Sequence, residues 1–149
     1  MRVLAADPGY TGGLCVLEDG EIVSLVKMPV ISVGKGRGVR HAYDLASITD
    51  YIRAAGADLV VVEAVTRPGS LRENKAFILG VAYALDIETL TVPSPVWKRH
   101  FGAGAPKEES RAAAQSIWPE YGFDRMKKGA DGLWEACLIG RFAYEALPS

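Results

Sequence analysis

Apolar residues fall along this chain in two kinds of run. Val3-Leu4-Ala5-Ala6, Leu14-Cys15-Val16-Leu17 and Leu59-Val60-Val61-Val62 are continuous and of strand length, each bounded by turn formers or a charge. For Leu59 to Val62, continuity in place of alternation predicts a strand covered on both faces. Glu21 to Met28 alternates, and Asp19-Gly20 ahead of it is a hairpin signal. The chain is therefore expected to open with three antiparallel strands.

From Asp44 onward the period changes. Leu45, Ile48, Ile52 and Ala55 recur at helical spacing, and Gly56 stops them as a C-terminal glycine does. The stretch from Leu71 to Leu85 reads as a second helix, Thr89 to Val92 as a strand closed by Pro93, and Pro95 to Phe101 as a short helix. Lys107 to Trp118 and Asp131 to Leu147 read as two longer ones. Between the third strand and the first helix, Gly34 to His41 carries three glycines and three permanent cations, which predicts a mobile loop. No internal repeat is present. Three strands, then helix, strand, helix, strand and helices, predict an α/β fold: a mixed five-stranded sheet, its first three strands antiparallel and its last two parallel, flanked by helices.

Composition adds bounds. A chain of 149 residues with 49% hydrophobic residues buries one core, so residues 1–149 are read as a single domain. Charged residues make up 23% and nearly cancel to a net charge of −1, which argues against a purely electrostatic nucleic-acid binder, although acids gathered in one site would mask basic loops elsewhere. Cys15 and Cys137 lie in apolar surroundings without metal-ligand spacing and read as buried, reduced thiols. No leader-like or membrane-length apolar run is seen, so a reducing compartment and no membrane partner are expected.

The chemistry starts with Asp7, a carboxylate directly after four apolar strand residues, where a charge is costly unless paired or metal-bound. Glu63 repeats the oddity at the end of Leu59 to Val62. A crossover fold would set these two strands side by side and bring the two carboxylates together, a conflict that a hard divalent cation removes. Asp131 and Glu135 are four apart on one helical face whose stripe continues through Leu138 and Phe142, so both should face the sheet. Each acid has an ordinary role open to it. Asp7 could cap the following turn, Glu63 could pair with Arg67, and Asp131 could favour a helix N-terminus. The coincidence of all four favours one shared site. Carboxylates, two hard metal ions and no candidate nucleophile are the requirements of in-line phosphodiester hydrolysis, with Asp7 suited to bridge the ions.

The order of these segments resembles the RuvC-like branch of the RNase H-like superfamily, in particular its short phage-type Holliday-junction resolvases. The resemblance is carried by Asp7-Pro8-Gly9-Tyr10-Thr11-Gly12-Gly13, Val60-Val61-Val62-Glu63, Val92-Pro93 with Trp97-Lys98, Lys107 before a helix, and Asp131-Gly132-Leu133-Trp134-Glu135-Ala136 followed by Leu138-Ile139. It implies an RNase H-like sheet, and Mg²⁺ or Mn²⁺, two ions per site, held by Asp7, Glu63, Asp131 and Glu135. It further implies a homodimer nicking the two like-polarity strands of branched DNA, in the cytoplasm of a bacterial or phage-infected cell. In that reading Lys107 reaches the scissile phosphate; the alternative is local ion pairing with Glu108 and Glu109. The helix carrying Phe77, Ile78, Val81 and Leu85 resembles the dimer-forming helix, and its apolar face is equally an intramolecular core face. One departure stands out. Where some cellular members carry a base-stacking aromatic after the strand-end glutamate, this chain has Val65-Thr66-Arg67. No segment identifies a branch-migration motor as a partner.

Cations group in Lys35-Arg37-Arg40, Arg67-Arg72-Lys75, Lys98-Arg99 beside Trp97, Lys107-Arg111 and Arg125-Lys127-Lys128. Lys35, Arg37, Arg40, Arg67, Arg72, Lys75, Lys98, Lys107 and Arg111 are the candidate nucleic-acid contacts, against the ordinary role of solvating a surface. His41 and His100 read as surface residues, Trp97 and Trp118 as core or interface. Two further readings remain beside junction cleavage: an RNA-processing or RNase H-like nuclease with the same chemistry, and a non-catalytic nucleic-acid-binding module.

Overall fold

A computed structural model describes residues 1–148. β1 (Arg2–Asp7) is flanked on one side by β2 (Gly13–Glu18) and on the other by β6 (Leu59–Glu63), with β3 (Glu21–Lys27) and β7 (Glu88–Val92) at the edges. The pairs β1–β2 and β2–β3 are antiparallel; β1–β6 and β6–β7 are parallel. This is the mixed sheet expected from the sequence. The β2–β3 hairpin turns at Asp19 and Gly20, with φ of 49° and 86°, as the Asp-Gly pair requires.

The helices form where the period predicted them: α1 (Leu45–Ala55), α2 (Ser70–Ala84), α3 (Ser94–His100), α4 (Lys107–Ile117) and α5 (Asp131–Ala146). The Asp44 carboxylate caps α1 by accepting the Ser47 amide at 3.1 Å, and Gly56 closes it in the left-handed region at φ 58°. Side-chain alternation then splits the core in two. Leu4, Ala6, Val60 and Val62 pack under α1 and α2, while Val3, Ala5, Leu59 and Val61 pack under α5. In α5 every residue from Trp134 to Gly140 is buried.

Two expectations are corrected. The Gly-rich stretch is the tip of a second hairpin, β4 (Val30–Val33) paired antiparallel with β5 (Arg40–Tyr43), with a tight turn over Gly36–Gly38. Val30-Ile31-Ser32-Val33 is mostly exposed, only four residues long and without clean alternation, so nothing marks it as a strand beside the glycines. Ile78 is fully buried beneath α2 in the same core as Ala82 and so cannot face a partner, while Phe77, Val81 and Leu85 are half-buried against that core. The large apolar side chains that α2 turns outward are Leu71, 46% exposed, and Tyr83, 82% exposed. Cys15 and Cys137 are buried free thiols whose sulfurs lie 3.4 Å apart. Among the described residues no helix is long and apolar enough to cross a membrane.

Candidate active site

The strand parity that buries Val3 and Ala5 under α5 also puts Asp7 on that face, and the parity of Leu59 and Val61 does the same for Glu63. The register pairs Ala6 with Val62, so the next positions, Asp7 and Glu63, end neighbouring parallel strands. α5 crosses this end of the sheet and adds Asp131 from its first turn and Glu135 one turn later.

Glycine sets how near α5 can come. A β-carbon on Gly13 would stand 2.5 Å from the Gly132 carbonyl oxygen, and one on Gly132 would collide with Thr11 and Gly12. Backbone therefore lies on backbone between the turn that follows Asp7 and the start of the helix that carries Asp131. The turn is pinned from the other side by Asn74 of α2, whose buried Oδ1 accepts the Gly9 amide at 3.0 Å.

Burial, then the Glu135 and Glu63 charges, push the Asp7 carboxyl well above the usual range. Burial and the Glu63 charge also raise Glu135, less so because its carboxylate accepts a hydrogen bond from Asp7. Of that pair Asp7 keeps the proton. Glu63 is raised by burial, partly offset by the Trp97 indole, which donates to its Oε2 at 2.8 Å, and by Lys98. Lys107 Nζ donates to Asp131 Oδ2 at 3.0 Å, and this contact raises the lysine above its ordinary value.

Four carboxylates thus meet with two cations nearby, an all-oxygen donor set that suits a hard divalent ion. As the side chains stand, no group of three or more His, Cys, Asp or Glu forms a ready ligand cluster among the described residues. Each acid is engaged otherwise: Asp7 with Glu135, Glu63 with Trp97, Asp131 with Lys107. Burial raises the proton affinity of Asp7, Glu63 and Glu135, and neighbouring carboxylates add to it at Asp7 and Glu135; a bound cation would relieve that cost.

Asp131 stands in the first turn of α5, an ordinary place for an acid, but Glu63 and Lys107 do not pair with their sequence neighbours. Glu63 bonds Trp97, 34 residues away, not Arg67. Lys107 reaches Asp131, 24 residues away, not Glu108 or Glu109. Trp97, fully buried, joins the site through Glu63; by sequence it reads as a core or interface aromatic, and the sign that it does more is its place in the Trp97-Lys98 pair that carries the resemblance.

The candidate nucleic-acid residues divide by environment. Lys35, Arg37 and Arg40 are exposed on the β4–β5 hairpin, which leans on the turn after Asp7 through a stack of Tyr43 on Tyr10 with ring centroids 4.5 Å apart. Arg67 is exposed in the loop after β6 and shares a cleft with Glu63, and Arg72 is exposed on α2. Lys75 is committed to structure, its Nζ donating to the Val65 carbonyl at 3.0 Å. Lys98 lies 5.5 Å from the centre of the Trp97 ring. Arg111 bonds the Asp124 carbonyl and lies over Trp134. His100 contacts Glu145 at 2.9 Å, the surface role expected.

No protein-family model matches this chain, and no curated protein matches it in sequence. Solved structures do. Thermus thermophilus RuvC is similar with a TM-score of 0.60 at 19% identity, over 98% of this chain and 95% of that one. The same protein in complex with Holliday junction substrate gives 0.63 at 18% identity, over 98% and 94%. The fowlpox virus Holliday junction resolvase gives 0.65 at 13% identity, over 99% and 100%. With the sheet order, the strand directions and near-complete coverage of both chains in agreement, this chain has the RNase H-like fold of the RuvC-type resolvases.

Proposed function

We propose that this chain is a structure-selective endonuclease that resolves four-way DNA junctions by metal-assisted phosphodiester hydrolysis. The observation that carries the reading is the meeting of Asp7, Glu63, Asp131 and Glu135, from β1, β6 and α5, at one end of the sheet, three of them with raised proton affinity. Structures of similar fold in complex with Holliday junction DNA support the substrate class.

In this reading Asp7, Glu63, Asp131 and Glu135 would hold two Mg²⁺ or Mn²⁺ ions, which would supply water activation and charge stabilisation at the leaving oxygen. The chain's own residues do the rest. Trp97 fixes the Glu63 carboxylate, and the glycine contact between the Asp7 turn and α5 holds the acids together. Lys107, 67% exposed although bonded to Asp131, contacts the phosphate. The cations of the β4–β5 hairpin, Arg67 and Arg72 hold the arms of the junction through their phosphates. A homodimer joined through the outward face of α2 matches the two-fold symmetry of the substrate and gives paired nicks.

The test is cleavage of a four-way junction, a matched linear duplex and an RNA–DNA hybrid by one preparation, wild type beside Asp7→Asn, in Mg²⁺, Mn²⁺ and Ca²⁺. Junction cutting in Mg²⁺ or Mn²⁺ that the variant lacks is expected. Preferential hybrid cutting would assign the RNase H-like activity instead, and junction binding without any cutting would leave a binding module.

A further inference from the structure

Against the acidic cluster, on the side of α4, lies a cavity of about 510 Å³ walled by Thr11, Lys107, Glu108, Arg111, Lys128 and Trp134, with Asp131 at its inner edge. Trp134 sets it apart from a plain surface hollow. This residue is 4% exposed, and its indole Nε1 is buried with no hydrogen-bond acceptor in the protein. The other two tryptophans are satisfied: Trp97 donates to Glu63 at 2.8 Å and Trp118 to the Gly20 carbonyl at 3.3 Å. A buried N–H left without an acceptor is costly and uncommon, and because Trp134 lines the cavity, a small turn of its ring that opens Nε1 to the cavity would let an acceptor from outside satisfy it.

The rest of the wall says what kind of acceptor. Three cations line it against two carboxylates, and one of those, Asp131, is already taken by Lys107. Arg111 is held by the Asp124 carbonyl, with its guanidinium 5.7 Å from the centre of the Trp134 ring. Lys128 makes no ion pair among the described residues. An indole N–H, a free ammonium, a fixed guanidinium and the Thr11 hydroxyl are donors, and an oxyanion with several acceptor oxygens matches them.

We infer that this cavity is a phosphate subsite that takes the backbone phosphate next to the one at the acidic cluster, with Trp134 Nε1 and Lys128 as its principal donors. That the phosphate belongs to DNA rests on the nuclease reading; recognition of the oxyanion does not. Held there, the strand is fixed in register, and its neighbouring phosphorus is aligned over Asp7 and Asp131.

The test reads the indole N–H resonances of the metal-free protein, three in number and assigned with Trp134→Phe, during titration with inorganic phosphate and with a thymidine dinucleotide. The Trp134 resonance is expected to move in a saturable way that Lys128→Ala abolishes, while Trp118 stays in place. In Ca²⁺-supported junction binding, Lys128→Ala should reduce the slope of log affinity against log salt by about 0.9, because one fewer counterion is displaced. Trp134→Phe should weaken binding several-fold at unchanged slope, since the lost donor is neutral. A Trp134 resonance unmoved by either ligand, or a wild-type salt slope in Lys128→Ala, overturns the inference. A moving resonance in a protein that cuts no substrate in Mg²⁺ or Mn²⁺ would keep the oxyanion site and reject the nuclease.

Discussion

Burial and the neighbouring carboxylates raise the proton affinity of Asp7, and that has consequences in solution. Its folded pKa is raised, like those of Glu63 and Glu135, so the folded state binds more protons than the unfolded one. The stability these groups contribute is full below the ordinary carboxylate range and is lost as pH rises through their raised values. Metal-free Asp7→Asn, which cannot ionise, is expected to melt above wild type at neutral pH and to lose that advantage in acid, a comparison that calorimetry makes directly. The same variant, and Glu63→Gln, should lose junction cleavage by at least about 10²-fold while still binding the junction. Unchanged turnover would remove these residues from the reaction. Lys107 is exposed and its loss removes one surface ion pair and no core contact, so Lys107→Ala should cut more slowly at limiting substrate while its melting temperature falls only slightly.

Between elements, the decisive contact is the one that α5 makes with the β1–β2 turn. Gly13 and Gly132 allow two backbones to touch where any side chain would wedge them apart. Gly132→Ala is expected to cost about 1–3 kcal/mol through overpacking, which lowers the melting temperature by about 2–4 °C for each kcal/mol. Cleavage should fall much further than stability, because Asp131 and Glu135 move away from Asp7 and Glu63. Full activity in Gly132→Ala would show that the site tolerates a wider spacing. Trp97 is a second device of this kind, a core side chain on α3 that fixes the carboxylate at the end of β6.

For the molecule as a whole, acids whose proton affinity is raised are buried at the end of a well-packed sheet, which costs stability at neutral pH. Adding Mg²⁺ is therefore expected to raise the melting temperature of wild type at neutral pH, and to do so much less in Asp7→Asn. The exposed Tyr83 and Leu71 on α2 bear on assembly. Tyr83→Arg should convert a homodimer to monomers in sedimentation equilibrium and leave the fold intact. A wild type that sediments as a monomer at all concentrations would move the proposed interface elsewhere or remove it.

Sequence alone determined the five sheet strands, the five helices and their order, though not the β4–β5 hairpin, because hydrophobic period, capping Asp44 and terminal Gly56 act over a few residues and are written where they act. It also marked Asp7 and Glu63, since a charge that ends an apolar run is anomalous in one dimension, and set Asp131 and Glu135 on one helical face. Partners separated along the chain were decided only by tertiary structure. The Trp97–Glu63 bond spans 34 positions, and the Gly13–Gly132 contact more than a hundred. Nothing local marks such pairs, because a tryptophan or a glycine has an ordinary use wherever it stands. The same reason kept Ile78 ambiguous: helical period assigns a residue to an apolar face, and only packing settles whether that face meets the chain's own sheet or another molecule.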